Sequence, residues 1–215
     1  MRLQNRLEGW WPLIDTVGTA NEYTGGTENG TITGTINRGA SGILGDNCYD
    51  FDGSSGFVDI NDTLLFLNSD FTVSFWFNVD TLNGAQQAIF NHRLDRDYVV
   101  FLDRTGTDTL DFFDGTDNNI DSVSVNTWYH FVGTFSDTAN TFKHYIDGLE
   151  VDSRSGNDQT AGGEFRFGAD NTGSSNFDGR LFDIRVYSRP LPPAEVNALY
   201  ERGRTGNYSS IEKTS

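Results

Sequence analysis

The sequence predicts an all-β sandwich of two antiparallel sheets with one short helix near its C-terminus. Three observations carry this. Strand-like segments recur roughly every 8–15 residues with turn residues between them, a sandwich or jelly-roll pattern rather than an alternating βα one. The 17 Phe, eight Tyr and four Trp can fill a core between two sheets. Gly is abundant at 24 residues and Pro scarce at four, as many tight turns and few helices require.

Gly9 to Ile14 is an apolar opening strand, followed by a Gly/Thr/Asn loop from Thr16 to Gly30. Thr31 to Ile36 alternates and reads as one strand. Tyr49 to Phe51 and Gly56 to Ile60 flank the turn Asp52–Ser55. Phe71 to Val79 is the clearest strand. Phe71, Val73, Phe75, Phe77 and Val79 share a core face, while Thr72, Ser74, Trp76 and Asn78 share a polar one.

Ala88–Asn91 and Tyr98–Leu102 flank the charged loop 92–97, and Thr109–Phe113 leads into a polar loop. Trp128–Phe135 and Thr141–Ile146 form a hairpin, and Asp147-Gly148 turns the chain into Leu149–Asp152. Glu164–Gly168 and Gly179–Tyr187 are the last strands. The helix opens at Pro192-Pro193, repeats Val196, Leu199 and Tyr200 at helical spacing, and is expected to close at Gly203. The predicted organisation is an N-terminal segment 1–8, one sandwich over 9–203 and a polar tail over 204–215.

The formal net charge is −16, with 23 Asp, eight Glu and only two Lys. Nucleic acid and anionic membrane are poor partners for such a surface. No run approaches the ~20 apolar residues of a membrane span, so no membrane insertion is expected. The acid is spread along the chain rather than clustered, which favours a protein of salty media, where the Debye length shrinks to about 3 Å at molar salt. Cys48 stands alone in a strand-like stretch and reads as a buried structural thiol.

Three motifs in order resemble the laminin G-like family of concanavalin A-like lectins and glucanases. They are Asp52-Gly53 followed by Phe71–Phe77, then Trp128–Phe135 with Tyr145-Ile-Asp-Gly148, then Phe177–Leu191 with the helix after it. The resemblance spans about residues 9–203 and implies a concanavalin A-like jelly roll. Such domains bind glycans or proteins, often near calcium, and also serve as spacers.

Glycosidases of this fold use paired carboxylates on a strand face. The nearest pattern here is Glu150-Val-Asp152, which lacks a second Glu and falls where a hairpin edge is expected. His92, His130 and His144 are read as strand-surface histidines, with no Ser or Cys visibly held against them. The protein is therefore expected to be no enzyme.

Calcium is the candidate cofactor. The resemblance puts Asp183 at a metal position, on one face with Leu181 and Arg185 between core-like Phe182 and Ile184. Asp15 is its candidate partner; the alternative is a surface ion pair with Arg185 or Arg180. Ligand-binding candidates lie in three loops rich in Asp, Asn and Arg: Arg93, Asp95 and Asp97; Asp117, Asn118 and Asn119; and Asp170, Asn171 and Asn176. Asp and Asn suit sugar hydroxyls, and Trp76 or Tyr98 could stack on a pyranose. The same residues also simply make turns soluble.

The expected function is non-catalytic recognition of glycan or glycoprotein at a cell surface. No apolar export segment is visible near Met1, which suits an exposed virion protein (fibre, turret or decoration) of a halophile virus, released by lysis. A homo-oligomer contacting other virion or assembly subunits is expected. The alternative is a structural cap or spacer docked by Arg2–Glu8 and Thr205–Ser215; a glycoside hydrolase ranks third.

Overall fold

A computed structural model of the protein describes residues 3–60, 70–92, 98–106, 108–156 and 165–206. The strands run β1 Leu7–Trp11, β2 Thr31–Thr33, β3 Ile36–Ser41, β4 Asn47–Asp52, β5 Phe57–Ile60, β6 Phe71–Val79, β7 Gln87–His92 and β8 Tyr98–Leu102. They continue with β9 Thr109–Phe113, β10 Asp117–Ser122, β11 Trp128–Ser136, β12 Thr141–Ile146, β13 Leu149–Ser155, β14 Phe165–Phe167 and β15 Asp178–Tyr187, and α1 spans Pro193–Thr205. The larger sheet is ordered β13-β12-β11-β6-β15-β4-β3, with β1 also on β15. The smaller is ordered β10-β9-β8-β7-β14-β5-β2. Every described pairing is antiparallel, as a jelly-roll sandwich requires.

The core between the sheets is aromatic. Phe75 stacks on Phe131 with ring centroids 5.0 Å apart, and Tyr98 tilts onto Phe112 at 4.6 Å. The alternation in β6 sends Phe71, Val73, Phe75, Phe77 and Val79 into this core as expected. The other face of β6 is not solvent-facing, however; all nine of its residues are buried. A second layer covers it. Val196 and Leu199 of α1, with Leu3 and Leu191, pack on Val132, Tyr145 and Tyr187. Beside them Trp76, Phe182 and Cys48 form a smaller cluster against Trp128 and Tyr200. Burial pushes the Cys48 thiol up to about 12, which suits the structural role expected of it.

Four local expectations change. The predicted strand Thr31–Ile36 is two strands in two different sheets, because Gly34 takes φ 72° and turns the chain between them. A side chain at Gly34 would also overlap the Ser55 carbonyl. The polar stretch after Asp114 is partly strand β10, which holds an edge position by pairing with β9 while burying only Ile120. Gly203 does not end the helix. It lies inside α1 against the Trp76 indole, and Gly206 at φ 69° supplies the left-handed cap. Both domain limits move outward, since β1 starts at Leu7, Leu3 is buried and α1 continues through Thr205. The Asp147-Gly148 turn is as expected, with φ 50° and 81°.

The contact of Gly203 with Trp76 makes a prediction against helix propensity. In an isolated helix Gly→Ala gains about 1 kcal/mol. Here the added methyl would overlap the indole ring, and overpacking costs about 1–3 kcal/mol. Gly203→Ala should therefore lower the urea midpoint rather than raise it.

Candidate functional site

The outward face of the smaller sheet carries a continuous row of paired residues. Asp117 lies opposite Phe113, Phe113 opposite Val99, and Val99 opposite Asn91. Asn91 then faces Arg166, Arg166 faces Asp59, and Asp59 faces Thr31. Directly paired residues share a sheet face. A second row runs Asn119, Asp111, Phe101, Ala88. Ala88, Val99, Phe101 and Phe113 form an apolar floor here, distinct from the main core.

Arg104 lies over this floor. Its guanidinium is 4.7 Å from the Phe101 ring centre and 4.5 Å from that of Phe113, a cation–π arrangement. Its Nε donates to the Asp117 carboxylate, and Nη1 donates to Gln86 Oε1 at 2.7 Å. The Gln86 amide in turn donates to Ser175 Oγ at 3.2 Å. One hydrogen-bonded chain thus joins β10, the loop before β7, the loop after β8 and the 170–176 loop.

Asp111 fixes that arrangement from below. Fully buried, it accepts from the Arg104 backbone N–H at 3.0 Å, from Thr109 Oγ1 at 2.6 Å and from both Thr105 donors. Asp103 accepts from Gly84 N–H at 2.9 Å and Asp108 N–H at 2.6 Å. The result is a polar platform of donors and acceptors above an aromatic floor. Its Asp117 side chain is 46% exposed, so a ligand can reach it. At the far end of the first row Arg166 stacks on Phe57 at 4.0 Å and pairs with Asp59 at 2.6 Å.

The predicted ligand residues divide. Asp117 and Asn119 stand on the outward face of the platform. Asn118 pairs with inward-facing Phe112, and its amide is taken up by Thr116 and Asp114. Asp170 folds its own loop, accepting from Thr172 and Ser174, and these bonds hold its carboxyl below the usual range against the effect of burial. Asn171 is exposed beside it. Asn176 donates to the Ser54 carbonyl at 3.1 Å. Arg93, Asp95 and Asp97 lie outside the described residues. Sequence reading missed Arg104, Gln86 and Ser175. Only an Arg two residues past a strand end in an acidic chain hinted at the first. Trp76 and Tyr98 are buried and cannot offer a face to a sugar.

Asp183 and Asp15 have separate protein partners. Asp183 sits in a β-bulge of β15 at φ 53°, which moves Phe182 and Ile184 to opposite faces. Its carboxylate accepts from Trp10 Nε1 at 2.6 Å and pairs with Arg185 at 2.9 Å, and both partners are buried rather than on the surface. Asp15 accepts from Asn21 and from the Tyr23 hydroxyl. Among the described residues no group of three His, Cys, Asp or Glu side chains is placed to hold a metal. The donor set at Asp183 fits an ion pair, not a cation cage.

The family model for the concanavalin A-like lectin/glucanases superfamily matches residues 52–197, more than half of the chain. The chain belongs to this superfamily. No curated protein matches it in sequence. Among solved structures it resembles domain 4 of AbnA, a GH43 extracellular arabinanase from Geobacillus stearothermophilus, in complex with arabinotriose. The TM-score is 0.72 at 22% identity, over 91% of this chain and 98% of that one. The binding domain of Paraclostridial Mosquitocidal Protein 1 gives 0.65 at 21% identity, over 83% of this chain and 48% of that one. Trypanosoma rangeli sialidase gives 0.70 at 16% identity, over 96% and 34%. At these identities the likeness establishes the fold.

A superfamily that includes glucanases directs attention to the catalytic groups. Glu150 and Asp152 do not share a face. A bulge between His144/Tyr145 and their partners turns Glu150 outward to Lys143 Nζ, 2.9 Å away, and Asp152 inward to His144 Nδ1, 2.8 Å away. Two carboxylates so placed cannot flank one glycosidic bond. The histidines are buried, not on the strand surface. Ser74 Oγ does lie 2.9 Å from His130 Nε2, a contact the sequence did not reveal. Both residues are sealed beneath α1, and the His144–Asp152 pair faces the opposite side of the sheet. The pieces of a Ser-His-Asp triad are therefore present but divided between two faces.

Burial, with the Arg185 cation adding to it, pushes the His130 imidazole down to about 3, and burial pushes His92 down to about 4. The unfolded chain then binds the extra protons between these values and about 6.5, so stability falls as pH falls through that window. At one pH unit per ~1.4 kcal/mol, His130 alone removes about 2 kcal/mol between neutrality and pH 5. Asp52 and Asp152, held below the usual range by their hydrogen bonds despite some burial, titrate beneath this window. Asp50 and Asp147, raised by burial, add an opposite slope. Urea unfolding at pH 7.5 and 5 should show the loss, and His130→Asn should reduce the pH slope while leaving the aspartate share in place.

Proposed function

We propose that the chain is a non-catalytic binding module that recognises glycan through the Arg104 platform. The observation that carries this reading is the hydrogen-bonded chain Asp117–Arg104–Gln86–Ser175 above the Phe101 and Phe113 rings. Alternating donors and acceptors at fixed positions over an apolar floor suit sugar hydroxyls and the C–H face between them. Support comes from the structural likeness to an arabinanase domain in complex with arabinotriose, which the chain matches over nearly the whole of that domain.

The proposed setting is an exposed surface in a salty medium, such as a virion, on the ground of the dispersed negative charge. Several copies in an assembly would raise a weak single-site affinity by avidity. Calcium enters the proposal as the candidate ion, and its contribution is read directly from binding with and without chelator.

The test is binding of the folded protein to a glycan array and to halophile cell envelopes in molar salt, with calcium and with chelator. At least one defined glycan should compete. Arg104→Ala should weaken binding at least tenfold, about 1.4 kcal/mol, without loss of the folded state. A folded protein that binds none of the array, or an Arg104→Ala variant that binds equally well, would overturn the reading. Release of reducing sugar from the bound glycan would move the protein to the hydrolases.

A further inference from the structure

The chain holds two Asn-Gly pairs, Asn29-Gly30 and Asn83-Gly84. With no Cβ on the following residue, the backbone nitrogen after such an asparagine can swing onto its side-chain amide. The two pairs sit in opposite settings.

At Asn83 each reacting group has the partner that the reaction needs. Asn83, Gly84 and Ala85 are exposed on the loop between β6 and β7. Asn83 Oδ1 accepts from the Ala85 N–H at 2.9 Å. That donor polarises the amide carbonyl and stabilises the negative charge its oxygen gains under attack. The Gly84 N–H donates to Asp103 Oδ2 at 2.9 Å, so the proton of the attacking nitrogen already points at a carboxylate base. Asp103 is buried, and its other oxygen is held by the Asp108 N–H at 2.6 Å. Nothing lies within 4 Å of the place a Gly84 Cβ would take, which leaves room for a ring to form.

Asn29 lacks half of this arrangement. Its Oδ1 accepts from the Glu22 N–H at 2.8 Å, but Gly30 is buried and its N–H donates to the Ala20 carbonyl at 2.7 Å. A peptide carbonyl is no base, and the Val58 and Ile60 side chains close around Gly30.

We propose that Asn83 is a self-modification site, converted by its own loop to aspartate and isoaspartate with Asp103 as the base. The Gly84 nitrogen bonds to Asn83 Cγ as its proton passes to Asp103. The Cγ–Nδ2 bond then breaks, and Nδ2 takes that proton and leaves as ammonia. The succinimide left between residues 83 and 84 is opened by water at either carbonyl, giving the two acids. The ring has no N–H, so the Gly84–Asp103 hydrogen bond is lost. The product adds a carboxylate to the loop that presents Gln86 to Arg104 Nη1. The conversion is irreversible and marks the age of the molecule.

The experiment incubates the full chain folded and, in parallel, unfolded in guanidinium chloride, and follows both asparagines by peptide mapping and mass. Folded protein should convert Asn83 severalfold faster than unfolded chain, while its Asn29 stays intact. The folded rate should stay nearly flat between pH 6 and pH 8, where Asp103 is the base, whereas the unfolded rate rises with hydroxide. Asp103→Asn should slow the folded reaction at least about tenfold, since a positioned base supplies ~10²-fold or more. The wild-type pH profile keeps the test decisive if that variant does not fold. Asn83 converting more slowly in the folded chain than in the unfolded one, equal conversion of Asn29, a folded rate that tracks hydroxide, or an unslowed folded Asp103→Asn would each overturn the assignment. No glycan enters the measurement, so its outcome is separate from that of the Arg104 platform.

Discussion

The centre of the larger sheet, β6 and most of β15, is buried on both faces, and much of the structure follows from that constraint. Its inner face meets the smaller sheet through stacked aromatics. Its outer face is covered by α1 and the N-terminal segment, yet it carries the polar residues that strand alternation left there. Each such group needs a partner on the spot, since burying it alone costs several times what one hydrogen bond returns. Ser74 therefore meets His130, Thr72 bridges the backbone at Arg189 and Leu191, and Asp183 meets Trp10 and Arg185. The proximity of Ser74 to His130 is a product of this sealing, and it sits where no substrate has access.

Function is left to the places this layer does not cover. On the smaller sheet the acidic residues act mostly on their own loops. Asp103, Asp111 and Asp170 spend their oxygens on backbone and hydroxyl donors and so hold Arg104 and Ser175 at fixed positions. The abundance of Asp thus has two parts: exposed carboxylates that set the surface charge, and buried ones that shape turns.

The architecture was legible because its main signals are local and repeated. Alternation in β6, the Asp147-Gly148 turn and the proline start of α1 each state their geometry within a few residues. What escaped depends on partners distant in sequence. No local pattern could tell that Trp76 would be covered by Tyr200, so the outer face of β6 read as open. Gly203 has the spacing of a helix terminator, and only the indole against it explains its place inside the helix. Of the site, Asp117 and Asn119 were visible as loop polar residues, whereas Arg104 joins residues from position 86 to position 117 and acquires its meaning only on folding.

The bulge at Asp183 acts as a frame mark in β15. Before it Leu181 points inward and Phe182 outward; after it Ile184 and Val186 point inward and Arg185 and Tyr187 outward. The same residue marks the point where the flanking strand changes from β4 to β1. Were Asp183 paired as an ordinary residue, without the bulge, the last third of the strand would turn inside out, placing Arg185 in the aromatic core and Ile184 beneath the helix. The left-handed conformation at Asp183 therefore decides which side chains of the last third reach the core, and a further inserted residue that the loops of the sandwich tolerate is barred at this corner.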